Sequence, residues 1–140
     1  MDDMLYREEI LERYYAAPRR GRLEAPDRSA ELDNPLCGDR IRLELTLGAG
    51  GQIIAARFDG DGCVISQVAA SILAEHIEGM AVDEARRLPA DKAVGLLGIP
   101  LSPARVKCGI LAWRALQRAL TATADPASGG PSMDLSLSTG

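Results

Sequence analysis

The sequence predicts an α+β fold: a small antiparallel sheet of about three strands with helices packed on one face. Apolar and polar residues alternate over 41–47, and a second extended run follows over 52–58. Between residue 65 and Leu120 the apolar spacing is helical, so strands come first and helices after, without the alternation that a parallel sheet requires. The chain has 140 residues, 46% of them hydrophobic and 26% charged, which fits one ordinary globular domain.

Residues 3–17 read as a helix, with Met4, Ile10, Leu11, Tyr14 and Tyr15 forming its stripe and Pro18 ending it. Arg19, Arg20, Gly21 and Arg22 follow as a polar turn, and residues 25–39, rich in Pro, Asp, Asn and Ser, read as an irregular surface loop. Ile41, Leu43, Leu45 and Leu47 alternate with Arg42, Glu44 and Thr46, the pattern of a half-buried strand. The run Gly48–Ala49–Gly50–Gly51 turns the chain into a hairpin. It is not a phosphate-binding loop, because no Gly-Lys-Ser/Thr follows and no helix begins there.

Asp59–Gly60–Asp61–Gly62 is expected to break the second strand before Cys63, its two acids being turn residues. Ile65, Val68, Ala69, Ile72, Leu73 and Ile77 predict an amphipathic helix over 65–78, with Ser66 near its cap and His76 on its packed face. Residues 82–88 and 91–97 read as two short helices around Pro89. Ser102–Pro103 starts a long last helix, a capping hydroxyl followed by proline in the first turn, with Val106, Ile110, Trp113, Leu116 and Leu120 as its stripe. Its cations Arg105, Lys107, Arg114 and Arg118 form a solvated face or a docking face. The domain spans residues 1–122, and the Pro-, Ser- and Gly-rich residues 123–140 form a disordered tail.

Composition excludes several classes of function. No stretch reaches the ~18 apolar residues of a membrane span, and the acidic Met1–Asp2–Asp3 is unlike a signal peptide, so the expected site of action is the cytoplasm. The net charge is −4, with 16 Lys and Arg interspersed among 20 Asp and Glu, which gives no footprint for nucleic acid. One histidine, His76, leaves a cysteine-nucleophile hydrolase without a base near its thiols.

The three cysteines, Cys37, Cys63 and Cys108, all fall at element ends, which a fold can bring to one place. Asp39 follows Cys37 by two residues, and in extended chain those side chains point the same way. Three thiolates and a carboxylate suit tetrahedral zinc or an iron–sulfur unit. None of the spacings is a CxxC, however, and spacing by itself leaves three unrelated buried thiols equally open.

Three segments carry a resemblance: Asn34–Pro35–Leu36–Cys37–Gly38–Asp39, Gly60–Asp61–Gly62–Cys63–Val64–Ile65–Ser66, and Arg105–Val106–Lys107–Cys108–Gly109–Ile110–Leu111–Ala112–Trp113. In order and context they resemble the cysteine motifs of the NifU amino-terminal, IscU and SufU family, and the likeness runs from about Leu5 through Pro18–Arg19–Arg20–Gly21 to Leu120. Lys107 stands where the IscU branch has histidine, and the Leu–Ala–Trp context looks like SufU, whereas the segment from Cys63 to Cys108 has the shorter IscU length. The chain resembles a SufU-like member lacking the insertion before the third cysteine.

This resemblance implies a SufE/NifU-like α+β fold and a metal site of Cys37, Asp39, Cys63 and Cys108. It implies zinc as cofactor, a transient iron–sulfur cluster, and a role in cluster biogenesis. The implied partners are a pyridoxal-phosphate cysteine desulfurase, SufS-like or IscS-like, and iron–sulfur assembly or acceptor proteins. The activity is then either zinc-dependent sulfur transfer or non-catalytic scaffolding. Cys37, between Pro35 and Gly38, is the expected first sulfur acceptor, with Cys108 second and Arg105 and Lys107 beside it to favour its thiolate. The competing reading is a structural zinc module for protein contact, whose site would be closed and inert.

Overall fold

The alternation at the start of the sheet fixes its centre. Ile41, Leu43 and Leu45 are fully buried on one face of strand β2 (Asp39–Leu47), which pairs antiparallel with β1 (Arg28–Asn34) on one side and β3 (Ile53–Asp61) on the other. The computed structural model describes residues 2–35 and 38–121, residues 2–7 as backbone only. Cys37 and residues 123–140 lie outside the described residues, and the expectations made for them with it.

Helix α1 (Asp2–Ala16) precedes the sheet, and α2 (Val64–Ile77), α3 (Val82–Arg86), α4 (Ala90–Gly95), α5 (Pro103–Gly109) and α6 (Leu111–Thr121) follow it. The apolar sheet face meets α2 through Ala70, Leu73 and Ile77 and α6 through Leu111, Ala115 and Leu116. A second apolar cluster joins Ile10 of α1, Ile65, Val68 and Ala69 of α2, Leu97 and Cys108. The predicted α+β architecture is therefore the observed one, with helices on one sheet face. Among the described residues no helix is long and apolar enough to cross a membrane.

The structure corrects five local readings. Within the segment read as loop, Arg28–Asn34 is an edge strand; Ala30 and Leu32 alternate inward against the core while Ser29, Glu31 and Asp33 face out. Their short or polar side chains carry little intrinsic strand signal, and pairing with β2 overrides it. Strand β3 does not break at Asp59 but runs through Asp61, because Gly60 is buried opposite Ile41 and the two acids bind arginines: Asp59 to Arg20 at 3.0 Å and Asp61 to Arg40 at 2.8 Å. The last helix is interrupted at Ile110, which ends α5, although bonds from Ile110 N–H to the Val106 carbonyl and from Arg114 N–H to the Ile110 carbonyl carry its phase onward. His76 is exposed in the last turn of α2 and does not pack in the core. Trp113 is half-buried at the core rim, its indole N–H donating to the Leu88 carbonyl at 2.7 Å.

The Arg19–Arg22 turn also does more than connect. Its backbone covers the outer edge of β3, with Phe58 N–H donating to the Arg19 carbonyl and Gly21 N–H to the Phe58 carbonyl. Arg22 reaches Glu44 on the polar sheet face at 2.8 Å.

Candidate metal centre

Asp39 opens β2, Cys63 caps the N-terminus of α2, and Cys108 lies in the last turn of α5. Pairing of Asn34 with Asp39 and of Arg40 with Asp61 brings the start of β2 beside the end of β3, from which one residue, Gly62, leads to Cys63. Packing of Cys108 with Ile65, Val68 and Ala69 seats α5 on the first turns of α2. Three chain segments far apart in sequence thus converge at one end of the sheet.

Their donor atoms, one carboxylate oxygen and two sulfurs, all lie within 4.8 Å of one another. Asp39 is 1% exposed and Cys108 4%, while Cys63 is half-buried. Asp39 Oδ1 accepts the Cys63 N–H at 2.8 Å, which ties the carboxylate to the helix start. Its other oxygen, Oδ2, lies 3.9 Å from Cys63 Sγ. Among the described residues no Lys or Arg pairs with Asp39.

A close approach makes this possible. Gly62 has φ +135°, and a Cβ there would stand 2.2 Å from Asp39 Oδ1. Only glycine both adopts that backbone and leaves room for the carboxylate.

The donor set fits a metal ion. A buried carboxylate without a cation is costly, and here the oxygen not engaged by Cys63 N–H lies 3.9 Å from Cys63 Sγ, while both sulfurs stand within 4.8 Å of the carboxylate. Adjacent ligands in a tetrahedral zinc shell stand about 3.3–3.8 Å apart, given bonds of ~2.0–2.3 Å, so the observed spacing closes with small side-chain shifts. Three of the four residues expected at the site are therefore brought together, and the fourth, Cys37, lies outside the described residues. Arg105 and Lys107 are exposed on α5, both just ahead of Cys108 in the chain, and the Arg105 N–H bonds the Ser102 hydroxyl that caps the helix.

Sequence reasoning missed what stands behind the ligands. Ser66 and Gln67 are buried beneath Cys63, and Gln67 binds Arg20 from the turn after α1. No local pattern signals a partnership between residues so far apart in sequence.

The NifU-like N terminal domain family matches residues 5–125. A zinc-dependent sulfurtransferase SufU from Bacillus subtilis is 33% identical over 133 residues, covering 83% of this chain and 89% of the relative. An iron–sulfur cluster assembly scaffold protein IscU from Thermotoga maritima is 37% identical over 139 residues, covering 88% and 97%. Among solved structures, a protein described as a cluster assembly scaffold for the SUF system of Fervidobacterium islandicum superposes with a TM-score of 0.68 at 26% identity, covering 86% of this chain and 100% of that one. The N-terminal part of a NifU-like protein from Brucella abortus, 21% identical with a TM-score of 0.61, covers 79% and 88% and shares the fold.

Proposed function

The chain belongs to the NifU-like N terminal domain family, and from that premise we propose that it is an iron–sulfur cluster biogenesis protein of the cytoplasm. It accepts persulfide sulfur from a cysteine desulfurase and relays it, or builds a cluster, at Cys37, Asp39, Cys63 and Cys108. The observation that carries this reading is the convergence of Asp39, Cys63 and Cys108 within 4.8 Å at one end of the sheet. Similarity to both a sulfurtransferase and a scaffold supports the two outcomes of one chemistry.

When bound, zinc holds its cysteines as thiolates at neutral pH. The residues do the rest. Asp39 is fixed by the Cys63 N–H, so a carboxylate oxygen stays in the ligand set whichever thiol is engaged elsewhere. A carboxylate is harder than a thiolate and exchanges more readily, which suits a site that must open. In the transfer step a cysteine thiolate attacks the outer sulfur of the desulfurase persulfide; a new S–S bond forms, the old one breaks, and the desulfurase cysteine leaves as thiolate. No oxidant or reductant is consumed.

Cys37 is the first acceptor in this reading, because Pro35 and Gly38 flank it outside any predicted element, whereas Cys108 is buried in α5. Mass spectrometry after incubation with desulfurase and cysteine should find the added sulfur on Cys37 at early times, and Cys37→Ser should lose most of the acceptance. Normal acceptance by Cys37→Ser would move the role to Cys108, with Arg105 and Lys107 as its neighbouring charges. Zinc retained with no sulfur accepted on any cysteine would instead identify a structural zinc module.

A further inference from the structure

Behind Cys63 lies a run of hydrogen bonds that begins 43 residues earlier in the chain, at Arg20. The Arg20 guanidinium sits over the Phe58 ring, 5.0 Å from its centroid. Its Nη1 donates to Asp59 Oδ1 at 3.0 Å and to the Gly60 carbonyl at 3.3 Å, and its Nη2 donates to Gln67 Oε1 at 2.9 Å. Gln67 Nε2 donates to Ser66 Oγ at 3.1 Å, and Ser66 Oγ donates to the Cys63 carbonyl at 3.0 Å. The Cys63 N–H then donates to Asp39 Oδ1 at 2.8 Å.

From Arg20 Nη2 through Gln67 and Ser66 to the Cys63 carbonyl the sense of donation never reverses. Arg20 offers only hydrogens, so Gln67 must turn its oxygen toward it and its amide nitrogen toward Ser66, which leaves the Ser66 hydrogen for Cys63. Ser66 is 0% exposed and Gln67 3%, in the first turns of a helix whose other buried residues are mostly apolar. Polar groups buried there are costly unless fully bonded, and among the described residues the bonds of this side-chain pair to the rest of the protein go to Arg20 and Cys63. The main-chain bond that should hold the Cys63 carbonyl, from the Gln67 N–H, is long at 3.3 Å, so the Ser66 hydroxyl supplies part of what holds it. The turn that delivers Arg20 carries Ala17 at φ +46° and Arg19 at φ +71°, a conformation that non-glycine residues hold only when surroundings impose it.

We propose that Arg20 and Gln67, acting through Ser66, are positioning residues of the metal centre, fixing the β3–α2 junction so that Cys63 Sγ and Asp39 Oδ2 face a common point. One planar guanidinium spans Asp59, Gly60 and Gln67, and therefore sets the strand end against the helix start; a lysine ammonium beside Asp59 has no fork to span all three. The inference rests on the metal-site reading given above. Outer groups that orient metal ligands affect affinity about 10–100-fold when removed.

The test compares full-length Arg20→Ala, Arg20→Lys and Ser66→Ala with Arg86→Ala, which loses an ion pair to Asp83 and a bond to the Leu120 carbonyl in another part of the molecule. Zinc affinity is measured by chelator competition, ligand geometry by the thiolate-to-cobalt absorption of the Co(II)-loaded proteins, and fold by thermal unfolding without metal. Arg20→Ala and Ser66→Ala should weaken zinc by about tenfold or more and shift the cobalt band, and Arg20→Lys should not restore either. Arg86→Ala should lose stability alone. Unchanged affinity and spectrum in Ser66→Ala, which leaves the packing intact even if Arg20→Ala fails to fold, would overturn the proposal, as would full rescue by Arg20→Lys. An unaltered protein that takes up neither zinc nor cobalt would sink the metal-site reading itself, and this inference with it.

Discussion

Asp39 uses its two oxygens differently: Oδ1 is engaged by the Cys63 N–H and Oδ2 lies beside Cys63 Sγ. That division depends on Gly62, since any side chain there would collide with the carboxylate. Gly62→Ala should therefore displace Asp39, weaken zinc binding by more than about tenfold and cost about 1–3 kcal/mol through the strained backbone. Gly50→Ala, with open space around its Cβ, should change neither. Chelator competition and urea unfolding on the two variants check this, and zinc affinity preserved in Gly62→Ala would show that Asp39 is not a ligand. The glycine itself stands in the second cysteine segment of the sequence, but its reason does not: nothing within residues 60–66 says that Asp39 will lie against it.

At the scale of elements, the sheet is tied to its surroundings by two carboxylates, Glu44 on the central strand and Glu78 beside β3, that pack more deeply than their sequence suggests. Glu44, on the polar side of β2, is 2% exposed because the chain at Arg22 and Leu23 folds over it. Burial pushes its pKa up, but the Leu23 N–H and the Arg42 and Arg22 guanidinium groups outweigh that and hold it below the ordinary value. Glu78, just after α2, is treated alike: burial raises it, and the Ala56 N–H with Arg19 and Arg57 bring it below the ordinary value. Both are depressed in the folded state, so their stabilising contributions are fully present above the unfolded carboxylate pKa of about 4.3 and are lost as the pH falls through the lowered folded values. Urea stability should accordingly fall below about pH 4.3. Glu44→Gln should cost about 2 kcal/mol at pH 7 and flatten that fall; an unchanged pH profile would refute the assignment.

Element boundaries divided in the same way between what is local and what is not. The β2 alternation and the Ser102–Pro103 helix start are local signals, and both stand as read. Strand β1 exists because β2 offers it an edge, and β3 continues through Asp61 because Arg20 and Arg40 neutralise its acids. Neither cause is visible within the segment it affects.

Across the whole molecule, α2 is the shared wall. Its later turns pack in the main core, its first turns form the second cluster with Cys108, and its N-terminus carries Cys63. Among the described residues, the last one packed in the core is Leu120. A chain ending at Ala122 should keep its fold and its zinc affinity, measured by circular dichroism and chelator competition. Loss of either on truncation would assign residues 123–140 a part in the domain.

The sequence by itself determined the architecture and singled out the residues proposed as ligands. Hydrophobic period is a property of neighbouring residues, and three cysteine segments in order carry their chemistry on their face. Tertiary structure alone decided that Asp39, Cys63 and Cys108 meet, that Arg20 reaches Gln67, that Glu44 is buried and that His76 is not. The physical reason is that these are contacts between segments distant along the chain, set by strand register and helix docking. No residue's own neighbourhood in the sequence encodes the place where another segment will come to rest.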